Sequence, residues 1–338
     1  DFLSLFRKVM LVIEGMEQED VYPTQFEILT IIALMYFQEK KPDLVIMETG
    51  LGGRLDSTNV ITPLLSVITN VSIDHTNILG NTIREIATEK AGIIKENSFV
   101  VTGVKDDEAL SVIVAKAKEQ NSELFRLGEQ FTADAQQSRQ NGESFVYSFG
   151  DHQLVDVSIA MIGNHQIDNA ACAITAALLL KEKYDYALSE GKLRSGLQKA
   201  VWKGRLEQIS KNPAVIVDGS HNEEGINTLI ETLQNRYNDK KVIFVTAALA
   251  DKDVASMIQK LEKVAHHIIF TQFTMDRALE AGEFAKQCRN VTYSVLEDYK
   301  EALDEGLGMA DQDTVIVITG SLYFLYYARP YLLTRIND

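Results

Sequence analysis

The second half of this chain is dominated by one pattern: short apolar, β-branched runs separated by amphipathic stretches of helical period. The runs fall at residues 214–217, 242–246, 267–270, 291–295 and 314–319, with amphipathic stretches at 224–237, 253–264 and 298–307. Strand and helix alternating in this way require crossover connections. An α/β fold follows, a doubly wound parallel sheet of about five strands with helices on both faces. Such a sheet binds ligands beyond the carboxyl ends of its strands.

The first half is less regular. Helical stretches are expected at residues 2–15, 23–39, 82–94 and 168–182, and strands at 44–47, 65–70, 99–102 and, more weakly, within 133–159. The polar segment 137–142 reads as a surface hairpin. At 338 residues the chain is too long for one ordinary core. Two α/β domains are expected, 1–200 and 203–338, joined near 197–203.

The net charge of −15 argues against a nucleic-acid partner, since duplex binding relies on many Lys and Arg. The longest apolar run, near 170–180, is shorter than the ~20 residues a bilayer requires and reads as one buried helix. No signal-peptide pattern opens the chain. Its two cysteines, Cys172 and Cys288, form no C-x-x-C motif, which fits a reduced cytoplasm. A cytoplasmic monomer is expected.

Four constellations could carry chemistry. In the first, an apolar run ends in Glu48 and enters the glycine-rich turn Gly50-Leu51-Gly52-Gly53-Arg54. A carboxylate at such a strand end either holds magnesium beside phosphates or caps the loop. In the second, the run 67–71 leads to Asp74-His75, at a strand end like that of Glu48; together they offer an imidazole and a carboxylate to a divalent ion. In the third, Ile86, Lys90 and Ile93 share one helix face at i, i+4 and i+7, so that Lys90 has apolar neighbours. Such a lysine either snorkels or, buried, loses its proton and becomes a reactive amine. In the fourth, 216–217 leads to Asp218-Gly219-Ser220-His221-Asn222, where ligands bind or Ser220 and Asn222 cap a helix. Upstream, Trp202-Lys203-Gly204-Arg205 sets an aromatic ring and cations beside the join, serving a ligand cleft, domain packing, or both.

Taken in order, these motifs resemble folylpolyglutamate synthase and the bifunctional dihydrofolate synthase of the Mur ligase superfamily. The resemblance runs through Gln25-Phe26-Glu27, Glu48-Thr49-Gly50-Leu51-Gly52-Gly53-Arg54-Leu55-Asp56, Asp74-His75, Leu79-Gly80-Asn81-Thr82 and Glu89-Lys90-Ala91-Gly92-Ile93-Ile94-Lys95. It continues through Asn164-His165-Gln166, Asn169-Ala170, Gly204-Arg205-Leu206-Glu207, Asp218-Gly219-Ser220-His221-Asn222 and Thr319-Gly320-Ser321-Leu322-Tyr323. It implies a Mur-ligase-type ATPase domain followed by a smaller Rossmann-like domain. The implied reaction is ATP-dependent addition of L-glutamate to folate through an acyl phosphate.

By the same resemblance, Glu48 and His75 are magnesium ligands and Lys90 is carbamylated. Asn169, Arg205 and Asp218 contact ATP, and His221 lies near the transferred phosphate. Thr24, Gln25, Phe26 and Glu27, with Leu55, Asp56 and Ser57, hold the pterin, and Ser321 faces the incoming glutamate. The family also carries a G-x-x-x-x-G-K-[ST] phosphate loop, which occurs nowhere in these 338 residues. On this reading the sequence is N-terminally truncated and has little ligase activity as it stands. Two rivals remain: a Mur-type cell-wall amino-acid ligase, favoured less by the pterin-type segments, and a non-catalytic protein that kept the fold.

Overall fold

The computed structural model describes residues 1–338 except 19, 137–141 and 338. The expected hairpin at 137–142 therefore lies outside the described residues, apart from Gly142. The chain divides into two compact units, Asp1–Glu129 and Gln130–Asp338. The expected join at 197–203 thus falls inside the second unit.

The first unit opens with helices α1 (Phe2–Glu17) and α2 (Gln25–Lys40), which bury Leu5, Val9, Ile13 and Ile32 against each other. Strand β1 (Leu65–Ile68) leads through the single turn α3 (Thr76–Leu79) to α4 (Ile83–Ala91). Then come β2 (Phe99–Thr102), α5 (Asp107–Glu119) and β3 (Glu123–Arg126). The three strands form a parallel sheet in sequence order, and α4 and α5 bury Ile86, Ala87, Ile113 and Ala117 in its core with Ile68 and Val100.

Two expectations fail here. Residues 44–47 form no strand, and Ile46 is 88% exposed. A strand exists only where its backbone finds a ladder, and among the described residues β1 pairs with β2 alone. The helix expected at 82–94 stops at Ala91 with Gly92 as its cap, leaving Ile93 beyond it. Only Ile86 and Lys90 of the expected face are helical.

The second unit starts with an antiparallel meander, β4 (Phe131–Ala135), β5 (Glu143–Phe149) and β6 (His152–Ile159). Helix α6 (Asn164–Tyr184) packs on it, with Tyr147 hydroxyl and Thr175 Oγ1 at 2.7 Å, and α7 (Glu190–Lys199) follows. The remainder is the expected wound sheet: β7 (Glu207–Lys211), β8 (Ala214–Val217), α8 (Glu223–Arg236), β9 (Lys241–Thr246), α9 (Val254–Leu261), β10 (Ala265–Phe270), α10 (Ala281–Ala285), β11 (Thr292–Val295), α11 (Tyr299–Gly308), β12 (Thr314–Thr319) and α12 (Leu322–Asn337).

Strand order is β11-β10-β9-β12-β8-β7, parallel throughout except for β7, which pairs antiparallel with β8. Alternate strand residues serve opposite faces. Ile216, Phe244, Ile268 and Val317 meet α8, α9 and α10, whereas Val217, Val245, Ile269 and Ile318 meet α11 and α12. Every central strand is apolar on both sides, which is what burial between two helix layers demands.

Candidate functional site

In the first unit the glycine-rich turn is pinned over the C-terminal end of α4. A Cβ at Gly53 would lie 2.7 Å from the carbonyl oxygen of Glu89 and 3.0 Å from that of Lys90, so only glycine permits this approach. The Arg54 amide donates to the Glu89 carbonyl at 2.7 Å. Asp56 holds the turn from within: one carboxylate oxygen accepts from the Leu51 amide (2.8 Å) and the other from the Thr58 amide (2.9 Å) and hydroxyl (2.5 Å). Burial opposes ionisation of Asp56, but the Thr58 hydroxyl and the Leu51, Thr58 and Gly50 amides outweigh it and hold its carboxyl below the ordinary range.

That turn forms one wall of a pocket of about 250 Å³ lined by Thr49, Gly50, Leu51 and Gly52 on one side, and by Ser72, Asp74, His75 and Lys90 on the other. Lys90 is half-buried beside Ile86 and Leu79. His75 takes a left-handed backbone, φ 50°, with its amide donating to Asp74 at 2.8 Å. A non-glycine residue held in that conformation marks a strained position of the kind functional sites use. The structure thus places His75 and Lys90 on one pocket. Glu48 is exposed and does not line this pocket. Among the described residues no three His, Cys, Asp or Glu side chains converge as a ready-made metal cluster. The donors present are the Asp74 carboxylate, the His75 imidazole and the Ser72 hydroxyl. A carbamate on Lys90 would complete an oxygen-rich set of the kind magnesium prefers.

The segments expected to hold a pterin are partly spent on local structure. Thr24 and Glu27 form a capping box at the start of α2: the Glu27 carboxylate accepts from the Thr24 amide (2.6 Å) and hydroxyl (2.8 Å), and the Glu27 amide donates back at 3.2 Å. Gln25, Phe26 and Leu55 stay exposed, and Ser57 opens a short 3-10 turn at Ser57–Val60. The Phe26 ring lies against Gly50, where a Cβ would come within 2.6 Å of it. Phe26, Gly50 and Asp56 therefore meet in one place, bringing two separate sequence segments together.

In the second unit the candidates gather at the carboxyl ends of β8 and β12. Asp218, 4% exposed, accepts from the Leu206 amide at 2.9 Å and the Ser220 amide at 3.0 Å, which fixes the Gly204–Leu206 turn beside the strand end. The Gly219 amide donates to the Gly204 carbonyl at 2.8 Å. Glu207 accepts two bonds from the Arg329 guanidinium, at 2.8 and 2.6 Å, and one from the Gly204 amide at 2.9 Å. His221 donates Nδ1–H to the Gly219 carbonyl at 2.8 Å, leaving Nε2 as an acceptor. Asn222 caps α8 through the Gly225 amide, so that part of this motif is structural. Ser321 is buried beside this edge, where the Gly320 amide donates to the Ser220 carbonyl.

Two features carry no assigned role in the sequence reading, although His165 lies within one of its motifs. His165, near the start of α6, lies within electrostatic range of Arg205 and Asp218; burial pushes its imidazole below its ordinary value, against the pull of Asp218, Asp168 and Glu231. Gln166 donates its amide to His165 Nε2 at 3.0 Å and accepts from Asn169 at 3.2 Å, joining Asn169 to the same cluster. The ring proton then belongs on Nδ1, which is buried with no hydrogen-bond partner among the described residues. The second is Glu143, 2% exposed, which pairs with Arg236 of α8 at 2.7 Å and accepts the Gly163 amide at 2.7 Å just before α6. No local pattern announces a glutamate buried within a strand.

The comparisons agree with this geometry. Residues 2–177 match the Mur ligase middle domain, and residues 204–322 match the Mur ligase glutamate ligase domain. A Bacillus subtilis protein named dihydrofolate synthase/folylpolyglutamate synthase is 41% identical over 329 residues, covering 96% of this chain and 76% of that protein. The solved folylpolyglutamate synthase of Thermotoga maritima superposes with a TM-score of 0.85 at 31% identity, over 98% of this chain and 76% of the other. A folylpolyglutamate synthase structure described as a complex with AMPPCP and folate superposes with a TM-score of 0.83 at 34% identity, over 97% and 75% of the two chains. The chain belongs to the Mur ligases, in the family of folylpolyglutamate and dihydrofolate synthases.

Proposed function

We propose that this protein joins L-glutamate to folate with ATP, by way of an acyl phosphate. The observation that carries this reading is the 41% identity, spanning 96% of the chain, to a protein named dihydrofolate synthase/folylpolyglutamate synthase. The names of the relatives favour folate over a cell-wall precursor. The work divides between residues 1–200, for ATP and folate, and 203–338, for glutamate, a division supported by the two family matches. The protein acts as a cytoplasmic monomer. Its two cysteines are buried and not joined in a disulfide, and among the described residues no helix is long and apolar enough to cross a membrane.

Phe26 and Gln25, with Leu55 and Ser57, take the pterin; Thr24, Glu27 and Asp56 hold the two segments in shape. Asn169, Arg205 and Asp218 form the nucleotide side of the second unit. The folate γ-carboxylate oxygen bonds to the terminal phosphorus of ATP and ADP leaves. The glutamate amine then attacks the acyl carbon, loses a proton, and phosphate departs. Arg205 offsets charge on the phosphates, and His221 Nε2 faces the group in transfer as an acceptor. Ser321 orients the incoming glutamate. Lys90 in its free-amine form adds carbon dioxide to give a carbamate anion and a released proton. Magnesium, when bound by His75, Asp74 and that carbamate, would supply positive charge beside the phosphates; Glu48 lies outside this pocket and joins the set only if its loop moves.

The test is product analysis. The protein expressed from its whole reading frame receives ATP, magnesium, L-glutamate and tetrahydrofolate, and folates are resolved by mass spectrometry. Products heavier by successive glutamyl residues support the reading; ATP-dependent ligation only to a cell-wall nucleotide, or none, overturns it. The Lys90 carbamate has its own readout, a ¹³C resonance after incubation with labelled bicarbonate. That resonance should vanish in Lys90→Ala, and its survival there would place the carbamate elsewhere.

A further inference from the structure

A second cavity, of about 570 Å³, lies between α4 and α5. Four cations line it, Arg54, Arg84, Lys95 and Lys116, against one acid, Glu119. With Glu89 and Glu108 paired to two of these cations, four positive charges meet three negative ones, a small positive excess in a chain whose net charge is −15. The floor is small and apolar, with Ala91, Gly92 and Ala115 among its residues. The Arg54 backbone packs directly on Gly92, so a side chain there would displace the turn.

Three of the cations pair with carboxylates: Arg54 with the partly buried Glu89 at 2.8 Å, Arg84 with Glu108 at 3.1 Å, and Lys116 with Glu119 at 2.7 Å. The fourth, Lys95, donates to the Asn59 carbonyl at 3.0 Å. Exposed pairs of this kind contribute about 0–1 kcal/mol each, so exchanging their partners for another anion costs little. A ligand bearing several spaced carboxylates would engage several cations at once. Arg54 ends the same turn whose Gly50–Gly52 stretch lines the Lys90 pocket, so the turn separates this groove from that pocket.

We propose that the α4–α5 groove binds the γ-linked oligoglutamate tail of the folate, an inference that rests on the ligase reading above. Each round of glutamate addition leaves one more α-carboxylate on the substrate. An acidic protein repels such a tail unless its field is reversed locally, and the four cations supply that reversal, across the turn from the Lys90 pocket, once the tail's carboxylates replace their present partners. Phosphate chains and α-linked acidic peptides carry similar charge at different spacing, and they serve as controls.

The test is calorimetric titration of the protein with γ-linked di- and pentaglutamate. The pentamer should bind at least fivefold more tightly than the dimer, and raised salt should weaken it. Arg84→Ala/Lys116→Ala and, independently, Arg84→Gln/Lys95→Gln should each weaken the pentamer tenfold or more, while Arg84→Lys/Lys116→Arg retains it. In turnover, the first two variants should raise KM for pentaglutamyl folate and leave monoglutamyl folate unchanged. Wild-type affinity in both neutralised variants, or equal affinity for tripolyphosphate and α-linked pentaglutamate, would overturn the assignment. A wild-type protein that adds no glutamate to any folate refutes the ligase reading instead, because the titration reads the groove on its own.

Discussion

Arg236→Met removes one partner of the buried ion pair that ties the meander to the wound sheet, along with its bond to the Gly142 carbonyl. Glu143 and Arg236 lie 2.7 Å apart with side chains 3% and 10% exposed. Methionine keeps most of the volume and removes the charge. Glu143 then keeps the Gly163 amide, at 2.7 Å, as its remaining named donor. Leaving one partner of a buried pair uncompensated costs about 3–5 kcal/mol. For a unit running from Gln130 to Asp338, a loss of that size corresponds to a fall in melting temperature of roughly 6–20 °C. The double variant Glu143→Gln/Arg236→Met should recover most of the loss, since neither charge is then buried. Urea unfolding of wild type, the single variants and the double variant closes the cycle. A single-variant loss under about 1 kcal/mol, or a double variant as weak as the sum of the singles, would show that the pair is not acting as a desolvated unit.

Other expectations follow from the same coordinates. Burial works against ionisation of Glu207, but Arg329 and the Gly204 amide prevail and hold it below its ordinary value of 4.5. A depressed carboxylate stabilises the fold above its unfolded pKa and loses that contribution as pH falls through the folded one. Glu207→Gln should therefore flatten the loss of stability expected as pH falls below 4.5, and an unchanged acid limb in chemical denaturation would refute this. Gly53→Ala drives a methyl group against two carbonyls of α4 and should cost about 1–3 kcal/mol; its effect on the Lys90 carbamate resonance reports whether the pocket moves with the turn. Lys90→Ala should abolish glutamate addition with little change in melting temperature, and retained turnover would remove the lysine from the chemistry.

How far the sequence could be read depends on where each element finds its energy. The five strands of the second half were legible because Val215–Val217, Val242–Val245 and Ile316–Ile318 are apolar whichever way they point, as strands buried on both faces must be. The sixth, Glu207–Lys211, is an antiparallel edge with mixed polarity, and no alternation betrays it. Helix α5 was readable and went unread: Asp106 caps it through the Ala109 amide, and Ala109, Ile113 and Ala117 recur every four residues on its buried face. Residues 44–47 mislead for the opposite reason. Their apolar character predicts a strand, but a strand is completed by its neighbours, and among the described residues none pairs with them.

The candidate site separates what motifs encode from what they seem to name. Thr24-Gln25-Phe26-Glu27 reads as a ligand-binding tetrapeptide, yet its first and last residues satisfy each other as a helix cap. Asp56 spends both oxygens on the turn that it closes, and Asn222 caps α8. Each of these polar groups would cost stability if left without a partner, so each is under structural demand whether or not a ligand ever arrives. The residues left facing outward are fewer: Gln25 and Phe26 beside Gly50, His75 and Lys90 across the pocket, and His221 with its unengaged nitrogen. A motif in this chain is therefore best read as a scaffold carrying one or two chemical groups. Substitutions at the scaffold positions should lower melting temperature and activity together, and those at the outward positions should lower activity alone. Gln25→Ala and Thr24→Ala make the sharpest comparison, because one residue separates the two behaviours. Loss of the cap should cost about 1 kcal/mol in Thr24→Ala, and Gln25→Ala should leave stability unchanged while raising KM for folate. Equal stability losses in the two variants would collapse the distinction.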